Sequence, residues 1–390
     1  MFRLAQIKEF FGLVLLGLLE SVALFVVWPI LTEYVEHYGA FYPEMGLFFT
    51  AYSLTWVLLQ LYTGHLSDKY GKKRFIFVGL LIFGASAFLV GLAQTFIQLV
   101  VFRVLQGVGL GIFGPAALGL VAQFKEKGKS LAFYRTANGV GIIIGPIVGG
   151  VAGDFNLSYP FFISGLISLM AIASLHFLRE EKTEITEAGF IRSIKGMLFK
   201  RNIVLVCLAA FLAELCFAAL EIVIPLVGLF YGFSGFWRGV VLSSYFVAFA
   251  VLQVPVGFFS ERVEKRKVVV SASFMGAIPF LILYFTNNPL EMSLSMGVLG
   301  VMLGAVFVQS SAMVAELSPK GKESLCMAFF DAVIDFSFPV MPGIVTYLVM
   351  FGIKTPFLLL ISLMMFSGFT FAAIRKQGTD KTQIHANSFS

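Results

Sequence analysis

Charged residues are scarce in this chain of 390 residues. Asp, Glu, Lys and Arg make up 13% of it, against about 25% in a soluble globular protein. Hydrophobic residues make up 58%, and the mean hydropathy is +0.91. So few charges cannot cover a water-soluble body, and the same numbers exclude a disordered chain. Three cysteines exclude a disulfide scaffold. The composition therefore predicts a protein that crosses a membrane several times.

The patterns of common enzyme and metal sites are also missing. The sequence has no H-E-x-x-H, no G-x-S-x-G and no nucleotide-binding loop. We therefore predict that it is not an enzyme and that it does not use ATP hydrolysis. The four histidines lack metal-ligand spacing, so we expect no metal and no cofactor. The net charge of +6 is dispersed over short loops, which argues against nucleic acid as a partner.

Apolar runs are long and regular along the whole chain. A bilayer-spanning helix needs about 20 mostly apolar residues. Twelve runs meet this length: 10–34, 45–64, 75–94, 97–122, 132–153, 158–178, 203–230, 238–258, 267–286, 292–315, 325–350 and 355–374. The sequence predicts an all-α integral membrane protein with twelve transmembrane helices, in contact with the lipid bilayer.

The basic residues indicate the orientation of these helices. The N-terminal tail, the C-terminal tail and the loops that lie on the same side of the membrane hold 25 of the 28 Lys and Arg residues. Only Arg238 and Lys354 fall on the other side, and Arg103 lies within a span. Cytoplasmic loops carry such an excess of positive charge. We therefore expect both termini to be cytoplasmic, in a multi-pass protein of the plasma membrane.

One long polar break divides the chain into two sets of six spans. Residues 179–201 are rich in Arg, Lys and Glu, and their apolar residues recur near helical spacing, which predicts an amphipathic helix on the membrane surface. The predicted division is a six-helix bundle at 1–178, a linker at 179–201, a second bundle at 202–374 and a cytoplasmic tail at 375–390. Because two fused bundles supply a complete cavity, a monomer is sufficient.

The two halves share an internal repeat. Gly64 to Lys69 recurs as Gly257 to Arg262 at an offset of 193 residues. Lys-Gly-Lys at 127–129 recurs at 320–322 with the same offset, as does Pro146 at Pro339. Parallel repeats of this kind place a substrate site near the bilayer midplane, between the halves.

Three motifs resemble those of a known family. The segment GHLSDKYGKKR at 64–74 resembles the loop 2–3 signature of the major facilitator superfamily, G-x-x-x-D-R/K-x-G-R/K-R/K. RVLQGVG at 103–109 resembles its fourth-helix motif, and GVGIIIGPIVGG at 139–150 resembles its fifth-helix motif. The resemblance implies the major facilitator fold, and the fifth-helix motif implies the twelve-helix drug/proton antiporter branch. The second loop copy departs from the signature, with Glu264 in place of glycine.

The loop signature implies a cytoplasmic gate. The resemblance assigns to it Gly64, Asp68, Gly71, Lys72 and Arg74, as a latch for the outward-facing state. A carboxylate at Asp68 can cap the start of a neighbouring helix, and Gly71 permits a tight turn. The alternative is that these residues only mark a positively charged cytoplasmic loop.

The fifth-helix motif places small residues on one face of its helix. Gly141, Gly145 and Gly149 recur every four residues, and Pro146 bends or loosens the helix. We interpret them as a tight, hinge-like seam that limits leak. Ordinary small-residue packing is the alternative.

Five carboxylates and one arginine lie inside the predicted spans. They are Glu20 in span 1, Glu214 and Glu221 in span 7, Asp331 and Asp335 in span 11, and Arg103 in span 4. Because ionised acids in a bilayer are costly, they must line a wet cavity or carry protons. We take Glu20, Glu214, Glu221 and Arg103 as proton or substrate residues. We expect the span 11 pair to join the gate and face Asp68, with Lys72 or Arg74 as partner. A structural role remains the alternative for each.

These features predict a proton-coupled exporter of hydrophobic or cationic small molecules that works by alternating access. A carboxylate, Glu214 first and Glu20 second, would hold either a proton or the substrate. The alternative is a proton-coupled carrier of a specific metabolite such as a sugar, an amino acid or a nucleoside. A membrane receptor without transport is less favoured, because the longest polar stretch is too short for a sensing domain.

Overall fold

The computed structural model of the chain describes residues 2–124, 127–180, 201–262, 264–318 and 323–374. These residues are almost entirely helical, and no strand occurs among them. The predicted surface helix at 179–201 lies, apart from its end residues, outside the described residues. The predicted tail at 375–390 and the Lys-Gly-Lys copy at 320–322 lie outside them too.

Seven α-helices occur in the described part of the first half. They are α1 (Phe2–Phe25), α2 (Leu31–His37), α3 (Tyr42–Tyr70), α4 (Lys72–Gly91), α5 (Phe96–Val121), α6 (Lys127–Phe155) and α7 (Tyr159–Ser174). The described part of the second half has α8 (Arg201–Phe230), α9 (Gly235–Arg262), α10 (Lys265–Phe285), α11 (Pro289–Leu317), α12 (Glu323–Asp335), α13 (Ser337–Val349) and α14 (Thr355–Ala372). Short loops join them, so successive long helices run in opposite directions.

Every predicted span overlaps a helix, although not every helix is long. Ten helical segments of the described chain are long and apolar enough to cross a membrane. A shorter apolar helix, Tyr159–Ser174, lies where the sixth span is predicted, and the apolar segment Gly235–Val251 of α9 lies where the eighth is predicted. The helix α7 falls short of the roughly 20 residues of a full span, whereas α9 as a whole has 28 residues. The all-helical membrane fold is therefore present, and the count of twelve spans stays a prediction.

Two predicted spans consist of two helices rather than one. In the first span, α1 ends at Phe25 and a 3₁₀ turn containing Pro29 leads into α2. In the eleventh, α12 ends at Asp335 and α13 begins at Ser337. A proline has no N–H, and its ring clashes with the carbonyl four residues earlier. Pro29 and Pro339 each follow the last residue of the preceding helix by four, which accounts for both breaks.

The internal repeat is visible in the helices themselves. The starts of α3, α4 and α5 recur 193 residues later as the starts of α9, α10 and α11. Contacts repeat as well: a Cβ placed on Gly107 would lie 2.5 Å from the Tyr52 carbonyl oxygen, and one on Gly300 would lie 2.2 Å from the Tyr245 carbonyl oxygen. All four residues obey the same offset, so equivalent helices pack through equivalent glycines.

The hydrophobic cores show where the halves meet. We call the face at which α3, α5, α9 and α11 begin the distal face, and the opposite face, where α1 begins and α14 ends, the terminal face. One core lies wholly within the first half and includes Phe83 and Phe113. The larger core belongs to the second half but continues into Trp28, Tyr34 and Phe48 of the first. The halves therefore share a core near the distal face.

Candidate functional site

Two seams join the halves on the distal side, and they are related by the repeat. In the α3–α13 seam, the Thr50 hydroxyl donates to the Pro339 carbonyl at 3.2 Å. In the α6–α9 seam, the Ser243 hydroxyl donates to the Ile143 carbonyl at 2.7 Å. Thr50 and Ser243 occupy equivalent positions of the repeat. The site between the halves is therefore bounded on the distal side by two matching helix pairs.

Aromatic rings fill the space just inside these seams. The Phe25 and Phe246 ring centroids are 5.2 Å apart, and those of Trp28 and Phe217 are 6.3 Å apart. Phe25 and Trp28 belong to the first half, and the other two belong to the second. Such a cluster offers apolar and polarisable surface to a ligand. The sequence alone distinguished no subset of its many aromatic residues.

Glu214, Asp331 and Asp335 form what we call the acidic cluster. Glu214 lies near the middle of α8, and it interacts electrostatically with Asp335 and Asp331 at the end of α12. Gln60 of α3 donates a hydrogen bond of 2.7 Å to Asp335. Within the part of the chain that the structure describes, Glu214 has no hydrogen bond or ion pair. Three carboxyl groups thus share one region, and Gln60 of the opposite half donates a hydrogen bond to one of them.

A second polar group lies closer to the distal face and surrounds Arg103. The Arg103 Nη1 donates a hydrogen bond to the Gln106 Oε1 at 2.7 Å. The Arg103 guanidinium lies 4.3 Å from the ring centroid of Tyr52 and 4.8 Å from that of Phe48. Glu221 of the second half attracts it electrostatically. Both charged side chains are buried, and Glu221 Oε1 has no hydrogen-bond partner among the described residues. This group links the halves through opposite charges.

Glu20 occupies a third buried position, between α1 and α6. Its carboxylate accepts a short hydrogen bond from the Tyr134 hydroxyl and one of 3.2 Å from the Asn138 amide. Arg135, one residue beyond Tyr134, attracts both Glu20 and Asp331. Glu20 is therefore a better-satisfied carboxylate than Glu214, and Arg135 is the cation that both acidic regions share.

The loop signature makes its contacts within the first half. Lys72 Nζ pairs with Asp68 at 2.5 Å, four residues earlier. Gly71 connects α3 to α4 with a φ of +108°, a conformation in which glycine avoids strain. The carboxylate of Glu180 accepts from the backbone N–H of Lys72, at the start of α4. Arg74 is exposed in the first turn of that helix.

The structure does not bring the span 11 acids to the loop signature. Asp335 contacts Gln60, which precedes Asp68 by eight residues on α3, or about 12 Å of helix. In this conformation Asp68 is paired with Lys72 instead. The expected gate that joins Asp331 and Asp335 to Asp68 is therefore not assembled here, and it stays a prediction for another state. Gly64 lies on α3 opposite Pro115 of α5.

The fifth-helix motif contacts two different partners. A Cβ on Gly141 or Gly145 would lie 2.6 or 3.1 Å from the nearest atom of α1, and one on Gly149 would lie 1.5 Å from the carbonyl oxygen of Val26, just after α1. Pro146 faces the other way: its carbonyl oxygen lies 2.2 Å from a Cβ placed on Gly239 of α9. The glycine stripe thus packs α6 against its own half, while the neighbouring face of α6 makes the seam.

Several polar residues of the site were not predicted from the sequence as site residues. Gln60, Gln106, Tyr134 and Asn138 all lie in predicted spans and contact a candidate residue. Gln106 follows Arg103 by one helical turn, which is a signal that could have revealed it. The others come from different helices, and no spacing connects them to their partners. Among the described residues, no group of His, Cys, Asp and Glu could hold a metal ion.

Comparison with known proteins agrees with this architecture. The model of the Major Facilitator Superfamily matches twice, over residues 13–242 and 206–388. The quinolone resistance protein NorA of Staphylococcus aureus is 28% identical over 198 residues, 50% of this chain and 51% of NorA. Multidrug resistance protein 2 of Bacillus subtilis is 30% identical over 166 residues, 42% of this chain and 41% of that protein. The matched stretch spans about half the length of these curated relatives at most.

Solved structures share the fold across almost the whole chain. The nucleoside transporter NupG superposes with a TM-score of 0.81 at 13% identity, over 94% of this chain and 100% of NupG. A bacterial homologue of the human lysosomal transporter Spinster, solved in an inward-facing and occupied conformation, gives 0.75 at 13% identity, over 94% and 92%. With two family-model matches that together cover most of its length, this chain belongs to the Major Facilitator Superfamily, as a multi-pass protein of the cell membrane.

Proposed function

We propose that this transporter exports hydrophobic or cationic small molecules in exchange for protons. The observation that carries the proposal is the excess of acid between the halves. Within the described residues, none of Glu20, Glu214, Glu221 and Asp335 has a Lys or Arg nitrogen at ion-pair distance, and Arg103 is the one buried cation of the site. An anionic substrate would require an excess of buried Lys and Arg, whereas a proton or an organic cation would neutralise these carboxylates.

In the proposed cycle, a carboxylate of the acidic cluster holds either a proton or the substrate. Glu214 stands first, because it has no hydrogen bond or ion pair with any residue that the structure describes and because Asp331 and Asp335 repel its charge. Glu20 stands second, since it already accepts hydrogen bonds from Tyr134 and Asn138. Substrate binding displaces the proton, and the rings of Phe217 and its neighbours accommodate the apolar part of the substrate.

The proposed topology has twelve spans, with both termini and the terminal face in the cytoplasm. The two six-helix bundles, at 1–178 and 202–374, then rock against each other around the site, and one chain is sufficient. The distal seams are closed in this structure, which corresponds to a site reached from the cytoplasm. The names of NorA and of the Bacillus subtilis multidrug resistance protein support drug efflux as the class of activity.

The experiment is proton release on ligand addition. Detergent-purified chain in weak buffer receives tetraphenylphosphonium, a lipophilic cation, and the released protons are measured. We expect release that is lost in Glu214→Gln and retained in Glu44→Gln, a matched change at an exposed acid of the distal face. Release that persists in Glu214→Gln and disappears in Glu20→Gln would transfer the exchange to Glu20.

The second candidate is a proton-coupled carrier of a defined metabolite such as a sugar, an amino acid or a nucleoside. Buried polar atoms favour it: Gln106 Nε2 and Gln309 Oε1 have no hydrogen-bond partner among the described residues. Such atoms would suit the hydroxyl or amide groups of a polar substrate. Binding of a nucleoside or a sugar, without proton release by any lipophilic cation, would reject the exporter and favour this candidate.

A further inference from the structure

The first turn of α9 is held by a carboxylate from the other half of the chain. Asp154, in the last turn of α6, accepts hydrogen bonds from the backbone N–H of Gly235 at 2.6 Å and of Phe236 at 3.0 Å. The first N–H groups of a helix have no partner within the helix, and the dipole there is positive. The cap that α9 needs is therefore supplied across the α6–α9 seam.

A second carboxylate holds the same turn from another direction. Glu33 of α2 forms an ion pair with Arg238, which lies one turn into α9. The Arg238 side chain is 3% exposed, and its Nε and Nη1 have no hydrogen-bond partner among the described residues. Glu33 is 31% exposed and lines a cavity of about 470 Å³ near the distal face. Without Glu33, a buried cation would be left unpaired, which is strongly unfavourable.

The backbones of α6 and α9 touch directly beside these contacts. A Cβ on Gly150 would lie 2.0 Å from the Gly235 carbonyl oxygen, and one on Gly239 would lie 2.2 Å from that of Pro146. No side chain stands between the helices at these points. The turn cannot withdraw by a rotamer change alone, so the carboxylates lose their partners only when the helices separate.

Among the residues that the structure describes, the equivalent α3–α13 seam shows no such charged contacts. Gly46 of α3 corresponds to Gly239 and packs against Thr346 of α13. The start of α3 is capped within its own half, because the Phe41 N–H donates to Glu44 at 2.5 Å. The α3–α13 seam therefore depends on neutral hydrogen bonds, such as that from Thr50. The asymmetry distinguishes the α6–α9 seam as the one under electrostatic control.

We propose that Asp154 and Glu33 form a carboxylate clamp on the first turn of α9, which holds the distal face closed. The inference rests on the proposed function, in which the site must open to the distal side once in each cycle. At that step both carboxylates leave α9, and water takes their place on the N–H groups and on Arg238. They are positioning residues, because neither touches the site.

The test measures distal opening directly. Spin labels are attached at Ile97 and Leu290, which are exposed, lie at the distal face and occupy equivalent positions of the two halves. The three buried cysteines are first replaced by alanine. Asp154→Asn keeps the size of the side chain but turns an NH₂ group toward a backbone donor. Electron–electron distances are then recorded for this variant, for Glu33→Gln and for the matched helix-capping change Glu44→Gln.

We expect Asp154→Asn and Glu33→Gln each to raise the ratio of the population at the long distance to the population at the short distance. The increase is at least tenfold, or about 1.4 kcal/mol. Glu44→Gln leaves the ratio unchanged. The exchanged pair Glu33→Arg with Arg238→Glu restores the short distance. An unchanged ratio in both single variants, or an equal shift in Glu44→Gln, would overturn the clamp. Because the distances need no substrate, a chain that moves no lipophilic cation but opens in Asp154→Asn would reject only the proposed function.

Discussion

Gly149→Ala is the substitution whose effect follows most directly from the structure. The added Cβ would lie 1.5 Å from the Val26 carbonyl oxygen and 2.5 Å from its carbonyl carbon. Both obstacles are backbone atoms, so no rotamer change can relieve the clash, and the backbone at Val26, just after α1, must move away from α6. Overpacking of this kind costs about 1–3 kcal/mol, occasionally more.

A control within the same motif separates packing from helix propensity. Nothing lies within 4 Å of a Cβ placed on Gly139. Gly139→Ala therefore changes stability only through the greater helix propensity of alanine, which stabilises a helix by about 0.5–1 kcal/mol relative to glycine. The two substitutions are chemically identical and ten residues apart, yet we expect Gly149→Ala to lower the stability of the fold and Gly139→Ala to raise it.

The assay is thermal denaturation of the detergent-purified chain, followed as the fraction that stays monodisperse after heating. A net loss of about 2 kcal/mol corresponds to a Tm lower by about 4–8 °C for a half of this size. Gly139→Ala should leave Tm unchanged or raise it slightly. If Gly149→Ala matched Gly139→Ala, the close packing of α6 on α1 would be refuted, and with it our account of the glycine stripe.

Three further outcomes are expected. Arg103→Lys keeps the charge but loses the planar contact with Tyr52. Efflux of a fluorescent lipophilic cation from cells should therefore fall about tenfold, in line with a cation–π interaction of about 0.5–2 kcal/mol. An unchanged efflux rate would contradict a role of Arg103 in the site. Tyr134→Phe removes the short hydrogen bond to Glu20 and should lower stability by about 1–3 kcal/mol, whereas an unaltered Tm would mean that the bond contributes nothing. Gly71→Ala forces a Cβ onto a φ of +108° and should cost about 1–3 kcal/mol in the same assay; a neutral result would show that the α3–α4 turn relaxes.

The helices themselves were predictable because hydropathy is a local property. Each predicted run overlaps a helix, and the 193-residue offset reappears in the starts of α3 and α9. The sequence did not predict the helix breaks within the first and eleventh spans, although Pro29 and Pro339 lie inside the predicted runs. A run of apolar residues predicts burial in the bilayer, and it carries no information on whether one helix or two will occupy the run.

The candidate site was predictable as a set of residues but not as an arrangement. Acids inside apolar runs stand out in the sequence, so Glu20 and Glu214 could be selected as candidates without a structure, and their role stays a prediction. Spacing within one helix cannot show that Gln60 of α3 reaches Asp335, or that Asp68 turns back to Lys72 in this state. The Gln60–Asp335 contact joins residues that are 275 positions apart and lie in different halves, whereas Asp68 and Lys72 are four positions apart and pair across the α3–α4 turn.

The membrane class, the repeat and the residues that are too polar for their surroundings follow from the amino-acid sequence, because each depends on composition or periodicity along the chain. Tertiary structure alone decided which seam the charges would hold. Asp154 reaches Gly235, and Glu33 reaches Arg238, only because α2 and α6 converge on one turn of α9. A carboxylate attracts any nearby helix start or cation, and the packing of glycine against glycine determines which of them comes within a hydrogen bond's length.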